Sequence, residues 1–103
     1  MDSQTLADIM ITAIEGGSGY WCNNFLRVSG AYDDRLWYAC PKFWAQDDYC
    51  VKLTTVDDEI CFVTSISVNK AVQLLPGFPY DDFDADDADR FLQTVAFGEV
   101  VYG

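Results

Sequence analysis

The sequence contains no histidine, which excludes the commonest routes to nucleophilic catalysis. Without an imidazole, neither a Ser-His-Asp triad nor a Cys-His pair can form. The four cysteines also lack Cys-x-x-Cys pairs, and their spacings of 18, 10 and 11 residues fit no usual four-cysteine zinc site. Two disulfides are arithmetically possible, but a cytoplasmic chain would keep its thiols reduced. We therefore expect free and mostly buried thiols at Cys22, Cys40, Cys50 and Cys61.

Basic residues are scarce: six lysines and arginines face 17 acids, and the net charge is −11. Binding to DNA needs cations that displace counterions, so direct binding to nucleic acid or to an anionic membrane is not expected. Basic protein surfaces are the natural partners, although acidity can also serve solubility alone. No apolar run approaches the roughly 18 residues of a membrane span, and the N-terminus lacks a basic signal region. These features predict a cytoplasmic protein without a cofactor.

The composition supports a single folded domain over residues 1–103, because half of the residues are hydrophobic and 16% are aromatic. Apolar residues at helical spacing predict a first helix over 4–15, capped by Ser3 and ended by two glycines. A second helix is expected from a Ser67 cap through Leu75. A third is expected over 86–96, capped by Asp84 or Asp86.

Strand signals lie between these helices. Tyr20 to Val28 favours a strand, Trp37 to Cys40 a second, and Phe43 to Gln46 a loop. The clearest pattern is a hairpin of 49–56 with 60–66, in which a two-residue turn at Asp57-Asp58 would place Leu53 opposite Phe62. Residues 100–102 are expected to form a short final strand. The fold class is therefore α+β: a small antiparallel sheet with about three short helices on one face.

The most unusual feature is an acidic run, with six aspartates in the nine positions from 81 to 89. The spacing of Asp82, Asp84 and Asp86 resembles the start of an EF-hand loop. However, Asp87 stands where that loop needs glycine, and Gln93 stands where it needs glutamate. Calcium binding is therefore not expected. Acids near the start of a helix interact favourably with its dipole, but capping explains only two or three of the six.

Contact with a basic partner is the remaining interpretation of the acidic run. Further aspartate pairs lie at 33–34, 47–48 and 57–58, in predicted turns, and the sequence does not show whether these clusters share one face. The three tryptophans are possible interface anchors, with one or two of them expected to be buried. The candidate partner-binding residues are Asp81, Asp82, Asp84, Asp86, Asp87, Asp89, Asp33, Asp34, Asp47 and Asp48.

Enzymatic alternatives have little support in the sequence. The run from Gly16 to Gly19 lacks the lysine of a phosphate-binding loop and follows a predicted helix, so a tight chain reversal explains it better. Metal-dependent phosphoryl chemistry would need acids from separate elements, such as Asp33 and Asp84, to converge. A small metal-dependent enzyme therefore stays an alternative, whereas a protein without catalytic residues is expected.

Two segments resemble a group of small proteins carried by bacteriophages and other mobile elements. The first is Ala-Ile-Glu-Gly-Gly-Ser-Gly-Tyr-Trp at 13–21. The second combines Asp-Ala-Asp-Asp-Ala-Asp at 84–89 with Phe-Gly-Glu-Val-Val-Tyr-Gly at 97–103. Members of this group share an "EGG-GYW"-like turn and a "DAD-AD…FGE-VYG"-like tail. The resemblance covers about a third of the chain, at its two ends.

The resemblance implies a phage-derived protein that inhibits bacterial defence, of the anti-CRISPR or anti-restriction type. Its partner would be a host nuclease or CRISPR effector with a basic groove, blocked by carboxylates in place of phosphates. A phage accessory or structural protein, acidic only for solubility, is the alternative. The resemblance also implies that the turn and the tail pack together and that the middle of the chain could face the partner. The residues with implied structural roles are Glu15, Tyr20, Trp21, Glu99 and Tyr102. A dimer is possible.

Overall fold

The computed structural model describes residues 1–33 and 36–103, and Asp34 lies outside this part of the chain. It has the predicted α+β class, with a three-stranded antiparallel sheet and four α-helices. The helices are α1 (Ser3–Thr12), α2 (Pro41–Ala45), α3 (Ser65–Leu74) and α4 (Ala85–Phe97), and the strands are β1 (Cys22–Ser29), β2 (Cys50–Thr55) and β3 (Ile60–Thr64). None of the helices in the described part is long and apolar enough to cross a membrane.

The helix ends show which capping predictions were right. Asp2, and not Ser3, caps α1 through a 2.7 Å bond from the Thr5 amide, and the helix continues into a π-helical turn over Ala13–Gly17. Thr64 caps α3, and the predicted cap Ser67 instead completes a capping box from the third helical position. Gly98 ends α4 in the left-handed conformation, at φ 79°.

The segment before β2 is helical where strand and loop were predicted. Trp37–Ala39 forms a 3₁₀ turn, and Pro41 begins α2. Proline suits this first position, because an amide hydrogen there would make no hydrogen bond within the helix. Both helical turns bring aromatic side chains into the core. Phe43 and Trp44 are buried, and two of the three tryptophans, Trp21 and Trp44, are therefore inside as expected.

The predicted hairpin exists, but its register was wrong by one residue. Leu53 faces Cys61, and Phe62 faces Lys52. The turn has three residues, 56 to 58, because the Asp58 amide bonds to the Thr55 carbonyl and Asp58 adopts φ 63°. One extra loop residue moves every side chain of β3 to the other face, and Phe62 is 54% exposed as a result.

One face of the sheet packs against the helices and contributes Val51, Leu53 and Val63 to the core. Along β2 the burial alternates strictly, as expected for a sheet covered on one side.

The predicted final strand does not form, and residues 100–102 run without regular structure beside α4. All four cysteines are free. Cys40 is buried and the other three are partly buried, so the expectation for them was right in part.

Candidate functional site

The acidic run lies at the start of α4, and the structure divides its aspartates into three environments. Asp81, Asp82, Asp84 and Asp86 are exposed, and we call these four the α4 acidic surface. Asp87 is half-buried, and Asp89 is buried. Within residues 1–33 and 36–103, no salt bridge reaches any member of the α4 acidic surface.

A reciprocal capping box fixes the first turn of α4. The Asp87 amide donates to the Asp84 carboxylate at 2.8 Å, and the Asp84 amide donates to the Asp87 carboxylate at 3.2 Å. Asp84 is therefore a cap as predicted, whereas Asp86 lies within the first turn and is not one. The hydrogen bond from Arg90 lowers the pKa of Asp87, which stays charged and already has a cationic partner.

The prediction that Asp89 contacts a partner was wrong, because the residue is only 7% exposed and its carboxylate is hydrogen-bonded inside the protein. Its Oδ1 accepts hydrogen bonds from the Ser18 hydroxyl at 2.8 Å and from the Trp21 indole nitrogen at 2.6 Å. Its Oδ2 accepts from the Tyr20 hydroxyl at 2.7 Å and from the Gln93 amide at 3.0 Å. Four donors therefore satisfy this carboxylate, as a buried charge requires.

These bonds attach α4 to the turn that follows α1. The two backbones also approach closely, since a Cβ built at Gly17 would stand 2.3 Å from the Ala85 carbonyl oxygen. Only glycine fits at this approach. The run from Gly16 to Gly19 thus serves a chain reversal, as predicted, and the reversal supplies the donors for Asp89.

Gln93 holds the C-terminal tail against this assembly. Its side-chain oxygen accepts from the amides of Val101 and Tyr102, both at 2.8 Å, and its amide nitrogen donates to the Tyr102 carbonyl at 2.9 Å. The Tyr102 ring then stacks on Trp21, with centroids 5.5 Å apart and an interplanar angle of 6°. The predicted contact between the glycine-rich turn and the tail is confirmed.

Tyr20 and Tyr102 connect the start of α4 with a second acidic cluster. The Tyr20 hydroxyl lies 3.1 Å from the Tyr102 carbonyl oxygen, and the Tyr102 hydroxyl donates to Asp57 at 2.9 Å. Desolvation and the neighbouring Asp89 raise the pKa of Tyr20, so the hydroxyl stays protonated and remains a donor at neutral pH. The turn at 57–59 therefore lies on the same side of the molecule as the tail.

The other predicted acids lie elsewhere. Asp47 and Asp48 are exposed before β2, whereas the 57–58 pair follows it, and six strand residues separate the two pairs by roughly 20 Å. Asp33 accepts from the Cys40 thiol and faces Lys42 at 3.8 Å, near α2. The pairs at 47–48 and 57–58 therefore lie at opposite ends of β2 and do not adjoin each other.

A polar groove beside β1 offers no activated nucleophile. It encloses about 310 Å³ between the turn after α1 and β1, and its lining includes Cys22, Asn24 and Tyr38. Burial raises the pKa of the Cys22 thiol to about 11, so this thiol is protonated at neutral pH. Within the described ranges, 1–33 and 36–103, no three Asp, Glu or Cys side chains are grouped closely enough to hold a metal ion.

Two residues of the Asp89 network, Ser18 and Gln93, were not predicted. Gln93 had a readable signal, because it lies one turn after Asp89 and next to the apolar Leu92. Ser18 had none, since a serine among glycines is typical of any turn.

Comparisons with protein-family models, with curated proteins and with solved structures found no match to this chain.

Proposed function

We propose that the protein is a non-catalytic binding protein that presents the α4 acidic surface to a basic groove on a nucleic-acid-handling protein. The observation that carries the proposal is the exposure of Asp81, Asp82, Asp84 and Asp86 at the beginning of a firmly anchored helix. These carboxylates would occupy positions that phosphates fill in the nucleic acid complex.

Anchoring matters because ordering a flexible acidic loop on binding would cost conformational entropy. Here Asp89 and the capping box hold the first turns of α4 before any partner arrives. Asp84 and Asp86 are thus displayed on the anchored helix start. Asp81 and Asp82 lie on the turn before it, where the Asp82 amide donates to the Pro79 carbonyl at 3.1 Å. A chain with a net charge of −11 would also approach a basic surface rapidly through long-range attraction.

The partner class in this proposal is a bacterial CRISPR effector or restriction nuclease in the cytoplasm. This choice of partner rests on the resemblance of the motifs at the two chain ends to those of small phage proteins. The absence of histidine from the sequence agrees with a role that does not depend on an imidazole catalyst. The protein would then act by exclusion, keeping DNA or guide RNA out of the groove.

The test is displacement of fluorescent duplex DNA from a panel of purified CRISPR effectors and restriction nucleases. We expect the wild-type chain to displace DNA from at least one of them at low salt. Its apparent affinity should fall at least about tenfold between 50 and 300 mM salt, because salt screens exposed charges.

Poly-aspartate at equal total charge serves as the control for that experiment. It should inhibit more weakly than the folded chain, because its carboxylates are not preorganised. Equal inhibition by poly-aspartate, or no displacement from any enzyme of the panel at low salt, would contradict the proposal.

A further inference from the structure

The sheet has a second face, which the helices do not cover. We use the name open face for two of the residue rows whose side chains point away from the helices: Asn24, Leu26, Lys52, Thr54, Ile60 and Phe62. The strand register places them in two rows across the sheet. Leu26, Ile60 and Phe62 are 50%, 54% and 54% exposed, whereas Leu53 and Val63 on the helix-covered face are fully buried.

Three of the six residues of the open face are large and apolar, and none of the six is acidic, although the chain has 17 acids. The single charged residue of the open face is Lys52. Leu26 and Phe62 flank Lys52 on the two neighbouring strands, and they can pack along its aliphatic stem. A cluster of large, half-exposed apolar side chains on a sheet face is typical of an interaction site.

We propose that the open face binds a second copy of the chain, so that two sheets pack face to face. Two copies with a net charge of −11 repel each other. The repulsion is smallest when they meet through a face that carries no carboxylate. Sheets that pack in this way lie about 10 Å apart and interdigitate their apolar side chains. The α4 acidic surface belongs to the helical layer behind the sheet, so it stays accessible in each copy.

The available area makes this dimer weak. Burying the exposed halves of Leu26, Ile60 and Phe62 with their polar neighbours on both copies removes roughly 1,000 Å² of surface, near the lower limit for a specific interface. Two Lys52 ammonium groups at the centre reduce the affinity further. We expect a monomer–dimer equilibrium that depends on concentration.

Sedimentation equilibrium of the purified chain across a wide concentration range tests the proposal. The weight-average mass should rise from that of a monomer towards twice that value. The apparent dissociation constant should fall several-fold when salt is raised, because screening weakens the repulsion between the two acidic copies. Binding to a basic partner has the opposite salt dependence, so failure of this proposal and failure of the proposed function are distinguishable.

The matched variants are Leu26→Asp on the open face and Leu74→Asp at the end of α3, where the side chains are 50% and 49% exposed. Leu26→Asp should abolish the dimer and Leu74→Asp should keep it, with folding checked by circular dichroism. Phe62→Lys is the second open-face variant. It should also abolish the dimer, although it reduces the net negative charge.

A wild-type chain that stays monomeric at high concentration and high salt would overturn the proposal. Equal weakening by Leu26→Asp and Leu74→Asp would overturn it too, because association would then not depend on the open face.

Discussion

Replacing Asp89 by alanine is expected to lower the free energy of unfolding by about 3–5 kcal/mol, because several buried donors would be left unpaired at about 1–3 kcal/mol each. The Trp21 indole and the Ser18 hydroxyl would lose their charged acceptor inside the protein. Leaving buried donors unpaired costs more than the lost bonds contribute. Because small domains have only about 5–15 kcal/mol of stability, this loss is a large fraction of the total. It should exceed the loss from replacing any exposed aspartate, since Asp89 is buried.

Urea denaturation followed by circular dichroism measures this effect, and Asp82→Ala is the matched control. Asp82 is exposed and precedes α4, so its replacement should change stability by less than about 0.5 kcal/mol. Asp89→Asn should fall between the two, because the amide keeps one acceptor but brings its own donor towards the others. Similar stabilities for Asp89→Ala and Asp82→Ala would show that the carboxylate does not hold the turn and the helix together.

Replacing Gln93 by leucine should release the C-terminal tail and lower the free energy of unfolding by about 2–4 kcal/mol. Gln93 is fully buried and makes three hydrogen bonds to the backbone of Val101 and Tyr102. Leucine has a similar size but offers no polar atom. Asp89 would also lose one of its four donors.

Amide hydrogen exchange gives the decisive readout for that variant. The amides of Val101 and Tyr102 should be protected in the wild type and should exchange rapidly after Gln93→Leu. Thr94→Val is the control on the same helix, since the Thr94 hydroxyl bonds to the Arg90 carbonyl and its loss should leave the tail in place. Continued protection of both tail amides in Gln93→Leu would contradict the described role of Gln93.

The sequence was sufficient for the fold class and for most elements, because local signals determine them. Apolar spacing predicted α1 and α4, and it left Asp84 or Asp86 as the cap of α4, of which the structure has Asp84. The hairpin was predicted, but its register depends on one loop residue. Asp58 adopts a left-handed conformation that cannot be predicted from the pair Asp57-Asp58. The side chain of Phe62 therefore lies on the open face.

The environment of Asp89 was beyond local reasoning. Helical spacing does place it on the same face as Leu92 and Gln93, but an aspartate in an acidic run is normally exposed. Its burial depends on donors about 70 residues earlier in the chain, from Ser18 to Trp21. Such long-range pairing leaves no periodic pattern. The acidic run was therefore placed correctly at the start of α4, whereas the division of its aspartates into anchoring and exposed side chains required the folded structure. Its role as a binding site stays a prediction.

The division of the acidic run into anchoring and displayed aspartates is the central claim, and one binding measurement tests it most directly. Two triple variants change the net charge equally. The α4 variant combines Asp81→Asn, Asp82→Asn and Asp86→Asn. The control variant combines Asp33→Asn, Asp47→Asn and Asp48→Asn. Both are titrated at low salt against the nuclease that the wild type binds most tightly. The α4 variant should bind roughly tenfold to a hundredfold more weakly, whereas the other should stay within about threefold of the wild type. Equal weakening of both variants, or none in either, would contradict the claim.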